Sequence, residues 1–271
     1  MAAIAAIATA CARVPTSLEP QLSGAIGMPH RGVLKNGTTL DGAGAGYRFL
    51  RDNGRHSALP RFAAAIARAA KSIAETRPGA PLMIGDLSTA HGGGPLLPHF
   101  SHRSGVDADL LLLMTTPAGV PIVSPGFLSV GADGLAQDAE HGMRLYRFDV
   151  ERQWLLVRAL LVDPEARVQW IFIQDNLRAM LLQWAVARGE PIAVLQRAAE
   201  VMAQPNPGGE HDDHIHVRTA CNARETALGC EPFGPRRAWL SEPVSRPDDS
   251  DLELARALLT APDAEHLADV R

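Results

Sequence analysis

The chain of 271 residues has no apolar run long and charge-free enough to cross a bilayer, which takes roughly 20 residues. Its opening segment, MAAIAAIATACARVP, is apolar for ten residues and then meets Cys11. That stretch reads as a truncated export signal. It lacks the lysine or arginine expected at its start, and Ala8-Thr9-Ala10-Cys11 resembles a bacterial lipobox only loosely, without the leucine three places before the cysteine. An excess of one charge is also missing. Lys+Arg 26 against Asp+Glu 30 leaves a net charge of −4, which excludes the basic footprint of a nucleic-acid binder. There is no internal repeat and no extended low-complexity tract, so the chain is neither a solenoid nor a linker. Neither a G-x-S-x-G elbow nor an S-x-x-K beside a lysine-threonine-glycine box occurs, which argues against a serine nucleophile. Cysteine is scarce, with three in all. If Cys11 is lipidated or removed, Cys221 and Cys230 remain, either closing one short disulfide loop or standing as two unrelated thiols.

What is present is the composition of a folded domain, 46% hydrophobic and 21% charged. Residues 23–47, dense in glycine, read as loop with brief strands. Leu59 to Thr76 places Phe62, Ile66, Ala69, Ala70 and Ile73 at helical spacing, with Pro60 near its start and Arg77-Pro78-Gly79 to stop it. Further helices are expected from Val150 to Val162, Asn176 to Arg188, Ile192 to Met202 and, weakly, Leu252 to Leu259. Strands are expected at Pro81 to Gly85, Asp107 to Met114, Val168 to Ile173 and His214 to Thr219. The loop between the first two, DLSTAHGGGPLLPHFSHRSGV, is long enough to be functional. Strands and helices without a regular βαβ alternation give an α+β domain, with a central, mostly antiparallel sheet carrying a polar site. The expected division is residues 1–21 as export segment and linker, 22–240 as the domain, and 241–271 as a peripheral tail.

Chemistry concentrates in two places. SHRSGVDAD puts His102 and Asp109 seven residues apart across a glycine turn, and both suit a borderline ion such as zinc. EHDDHIHVRTAC holds His211, His214 and His216. On a strand, residues two apart share a face, so His214 and His216 point one way and Ile215 the other. One can hold metal while the other stands beside it to move a proton. A single loop histidine is more often solvated than a ligand, but the conjunction of histidine, aspartate and a distant H-x-H is hard to obtain without a metal. Arg218, two beyond His216, is either a guanidinium for a substrate carboxylate or a surface arginine. Asp107 alternates onto the face of Asp109 and could orient a histidine ligand. Asp86 and Ser88 in IGDLS either support the same site or, as the default, cap the loop.

The strings IGDLS, GGG, PHFSHRSGVDAD, WIFI and HDDHIHVRTAC together resemble the penicillin-insensitive murein endopeptidases of Gram-negative bacteria. These sit in the wider zinc group of lysostaphin, D-alanyl-D-alanine carboxypeptidases and hedgehog domains, which shares H-x6-D plus H-x-H. The resemblance spans most of the chain. It implies zinc on His102, Asp109 and His216, His214 as general acid/base, and His211 as a second active-site imidazole. It further implies metal contact for His99 and an accessory metal at Asp138 and His141, for which an exposed polar helix or loop is the plainer alternative. Cys221 matches a family cysteine and Cys230 would complete its disulfide; the family's other bridges are absent. The implied activity is hydrolysis of the D-alanyl-meso-diaminopimelyl cross-link in peptidoglycan stem peptides, in the periplasm, with a lipid anchor at Cys11 as an option. Rival expectations are a zinc D-Ala-D-Ala carboxypeptidase or dipeptidase, and a non-catalytic zinc protein that binds the wall.

Overall fold

The computed structural model describes residues 23–93, 101–205 and 209–240. The strands β1 (Gly24–Ile26), β2 (Val33–Lys35), β3 (Thr38–Thr39), β4 (Ala43–Gly44), β5 (Tyr47–Phe49) and β6 (Ser57–Ala58) precede helix α1 (Pro60–Thr76). Then come β7 (Leu82–Ile84), β8 (Asp107–Leu111), β9 (Met114–Thr115), β10 (Pro121–Ile122), β11 (Leu135–Asp138) and β12 (Arg144–Phe148). Helix α2 (Val150–Val162), β13 (Val168–Phe172), α3 (Asp175–Ala187), α4 (Ile192–Val201), β14 (Met202–Ala203), β15 (His214–Thr219) and α5 (Ala223–Ala227) complete the order, with a 3-10 turn at Ala238–Leu240. The export segment with Cys11, residue His99 and the terminal helix expected at Leu252 to Leu259 all lie outside the described residues.

Seven strands form the central sheet in the order β14-β13-β15-β8-β7-β5-β4. Four of its pairings are antiparallel, namely β13 with β15, β15 with β8, β7 with β8, and β4 with β5; β13–β14 and β5–β7 are parallel. The expected mostly antiparallel α+β sheet is what the chain forms. At its centre the period-two alternation separates two environments. Ala108 and Leu110 on β8 face Val217 and Ile215 on β15, and all four are fully buried in the apolar core. Asp107 and Asp109 face Arg218 and His216, so the other side of the same two strands is ionic.

The helices form because their apolar faces fit that core. In α1, Phe62, Ile66, Ala69, Ala70 and Ile73 are buried, and Pro60 at the first turn needs no amide partner. The helix stops where the Arg77 amide donates to the Ile73 carbonyl. In α2 the Asp149 side chain caps the Arg152 amide, while Trp154, Leu156, Val157 and Leu160 have no exposed surface. Burying side chains of that size stabilises by roughly 1.5–3 kcal/mol each.

Three features depart from expectation. The strand expected to run from Asp107 to Met114 stops at Leu111, because the Leu113 amide donates to Gln153 Oε1 and its carbonyl accepts the Asp149 amide instead of a sheet partner. The chain then enters a second sheet, β10-β9-β12-β11, which the sequence did not signal. Asp138 accordingly ends a strand, where an exposed helix or loop was the plainer expectation. Finally, Asn222 and Glu225 cap the unanticipated α5 reciprocally, inside a loop closed by the Cys221–Cys230 disulfide.

Candidate metal centre

The register of β8 against β15 sets His216 directly opposite Asp109. His216 Nδ1 lies 2.9 Å from Asp109 Oδ1, and its Nε2 lies 2.9 Å from Asp107 Oδ1. The third member arrives from the loop after β7. His102 Nε2 stands 3.2 Å from Asp109 Oδ1, and its ring meets His216 edge-on at 4.9 Å between centroids. His102 takes a left-handed φ of 65°, a conformation uncommon for a residue with a side chain. The loop is held there by Ser88: its hydroxyl donates to the His102 carbonyl and accepts the Gly105 amide. Ser88 thus has the loop-capping place expected of it.

One donor atom from each of His102, Asp109 and His216 fits within 4.8 Å of the others, and all three residues are buried. Two imidazoles and one carboxylate are the donor types that suit a borderline divalent ion. Asp107 occupies the second nitrogen of His216 and is itself held by Arg218 Nε at 2.6 Å. A carboxylate behind a ligand histidine fixes the ring and its tautomer. The residues therefore fit a metal. His211, His214 and His216 form a second group within the same reach, but that trio has no anion and two of its members are only half-buried.

Electrostatics follow from this crowding. Burial disfavours ionised Asp107, yet the cations Arg218 and His216 outweigh it and hold the carboxyl far below its ordinary range. Asp109 is likewise driven well down, burial being overcome by His102 and by hydrogen bonds from the three neighbouring histidines. Burial lowers His216, but Asp107 and Asp109 raise it more. His214 is also penalised by burial, and its hydrogen bonds to Asp109 and Asp213 push it up to about 9. His211 goes the other way: burial takes it down to about 4. Its Nδ1–H donates to the Gly209 carbonyl at 2.8 Å, which makes Nε2 the acceptor nitrogen.

The remaining candidates fall as follows. His214 Nε2 lies 3.5 Å from Asp109 Oδ1, at the edge of the ligand trio, with His211 beside it at 4.9 Å between rings. Arg218 is 6% exposed and its Nε is engaged by Asp107, with its guanidinium over Phe172 and Phe233. Asp138 and His141 pair with each other, Oδ2 to Nδ1 at 2.8 Å. Among the described residues no third donor joins them. Sequence reasoning missed two aromatic walls. Phe172 pairs with His216 across the sheet and packs against both His216 and His211; the alternation of Trp170 and Phe172 on one strand could have shown it. Phe127 stands edge-on to His214 at 5.2 Å, and no local pattern announces it. A cavity of about 580 Å³ lies elsewhere, against Arg147, Asp149 and Trp184, and is lined by no histidine. Volume is thus a poorer guide here than convergent donors.

The comparisons agree with this geometry. A sequence profile described as penicillin-insensitive murein endopeptidase matches residues 25–238. A protein of Haemophilus influenzae named penicillin-insensitive murein endopeptidase is 28% identical over 233 residues, covering 82% of this chain and 71% of that protein. The matched span includes the whole central sheet and every donor of the buried trio, and the chain belongs to the penicillin-insensitive murein endopeptidase family.

Proposed function

We propose that residues 22–240 form a zinc-dependent endopeptidase that hydrolyses the D-alanyl-meso-diaminopimelyl cross-link of peptidoglycan, with the ion held by His102, Asp109 and His216. Family membership makes the chain a peptidase of the metal-dependent kind that acts on murein. The observation that carries the finer reading is His216, whose Nδ1 meets the ligand carboxylate while Nε2 is anchored on Asp107. Zinc bound there supplies a Lewis acid for the scissile carbonyl and lowers the pKa of water to about 7.

The chain's own groups supply the rest. His211 and His214 are neighbours whose environments push their pKa values apart, which is the pattern that separates a base from an acid. His211, neutral at pH 7 with Nε2 as acceptor, suits removal of a proton from the attacking water. His214 holds its Nδ1 on Asp213, so Nε2 is the atom turned toward Asp109. As a cation it stabilises an oxyanion and then returns a proton to the leaving amine. Arg218 keeps Asp107 ionised, and Asp107 keeps the His216 ring in place. No serine is used, so β-lactams, which acylate serine, have no target. His99 stays a proposed further metal contact, and Asp138 with His141 a proposed accessory site. A periplasmic setting follows from the substrate.

Digestion of isolated cross-linked sacculi tests this reading. The zinc-loaded protein should convert cross-linked dimers to monomers, with full activity in ampicillin and none in a chelator. Release of free D-alanine with dimers intact would instead identify a carboxypeptidase. Intact sacculi and no D-alanine would leave a wall-binding protein.

A further inference from the structure

One wall of the metal centre carries a cation that the mechanism above does not use. Gly85 precedes the loop that leaves β7, and a Cβ at that position would meet Phe127 Cζ at 2.6 Å and Asp109 Cβ at 3.4 Å. The absence of that atom lets the Phe127 ring settle beside the ligand carboxylate, edge-on to His214 at 5.2 Å. On the same ring sits Arg51, its guanidinium carbon 5.6 Å from the centroid. Arg51 Nη2 is held at 3.0 Å by Asp86 Oδ2. Asp86 is fully buried, takes Asn53 Nδ2 at 2.6 Å on its other oxygen, and its carbonyl accepts the Asp109 amide at 2.9 Å. A rigid chain of contacts thus fixes the guanidinium relative to the ligands.

Its exposure separates it from the other cation near the trio. Arg218 is buried and committed to Asp107, whereas half of the Arg51 side chain remains open to solvent. A guanidinium pre-oriented by an aromatic face and a buried carboxylate presents its other donors in a fixed fork, the geometry that takes a second carboxylate. In the cross-link named above, the carbon bearing the scissile nitrogen also bears a carboxylate. We infer that Arg51, seated on Phe127, is a specificity-determining residue that binds this carboxylate and so aligns the amine side of the scissile bond. The inference rests on the endopeptidase reading.

The test compares two cross-linked muropeptide dimers, identical except that this carboxylate is free in one and amidated in the other. The zinc-loaded wild type should favour the free acid by about tenfold or more in kcat/KM, the ratio one charged hydrogen bond carries. Arg51→Gln should lose at least about tenfold more on the free acid than on the amide, mainly through KM, with Arg51→Lys recovering part. Zinc content should match wild type, because Asn53 and Arg55 still hold Asp86. If Arg51→Gln does not fold, Phe127→Leu, which removes the seat of the guanidinium, takes its place with the same expected selectivity loss. Equal losses on both dimers, or no loss on either, would overturn the role of Arg51 while leaving the endopeptidase intact. A wild type that cuts neither dimer would overturn the endopeptidase reading and this inference with it.

Discussion

At the scale of single residues, the site is governed by two buried carboxylates and the cations that neutralise them. Asp107 touches Arg218 and both the ring of His216 and the amide of His102, so it organises both histidines of the buried trio without lying in it. Asp107→Asn keeps the volume and removes the charge, and should weaken metal binding about 10–100-fold, measured by competition with a chromogenic chelator. The sign of the pH dependence follows from His216, which is raised when metal is absent. A raised pKa means the ring keeps its proton to a higher pH than an ordinary imidazole, and a ligand must give it up. Metal affinity should therefore climb as pH rises above 6.5 and level off once the raised value is passed. Much of this was legible in the sequence. The H-x-H spacing is readable because strand alternation puts His214 and His216 on one face, whereas His102 of H-x6-D reaches the trio from a loop. Phe127 was not legible, since its approach depends on a side chain that Gly85 lacks, at a position distant along the chain.

At the scale of elements, the metal strands are tied to their surroundings by arginine clamps. Arg61 on α1 donates Nε and Nη2 to the two carboxylate oxygens of Glu225 at 2.6 and 2.8 Å, and reaches Thr219 and the Ala220 carbonyl. This pins the end of β15 to α1 and α5. Arg61→Ala leaves Glu225 unpartnered by a cation at a position 13% exposed, and should cost about 3 kcal/mol in urea unfolding. Arg68 and Asp163 link α1 to the end of α2 at 2.8 Å. Burial raises Asp163, but the Arg68 hydrogen bond and the amides of Glu165 and Ala166 outweigh it and depress its pKa. A depressed carboxylate contributes stability above its unfolded value and loses it as pH falls through the folded one. The melting-temperature deficit of Asp163→Asn should thus be full at pH 7 and close below about pH 3.9. The long helices were readable because their apolar period is sustained and buried. The sheet β10-β9-β12-β11 was not, because its strands are two to five residues long and β12 buries only Phe148. Such strands are specified by pairing, which a local pattern does not record.

At the scale of the whole molecule, one sheet divides the labour. The face of β8 and β15 that carries Ala108, Leu110, Ile215 and Val217 closes the core, and the opposite face holds Asp107, Asp109, His214, His216 and Arg218. Shifting either strand by one residue would exchange these faces, so fold and site are specified by the same register. The disulfide Cys221–Cys230 and the clamp of Arg61 fix where β15 ends, and with it that register. In the proposed function His216 holds the ion while His214 handles the reaction. The most direct measurement is the metal content and sacculus-cleaving activity of His216→Ala and His214→Ala side by side. His216→Ala should lose both metal and cleavage, and His214→Ala should keep most of its metal and lose cleavage. Equal metal loss in the two variants, or a metal-free His216→Ala that still cleaves cross-links, would contradict it.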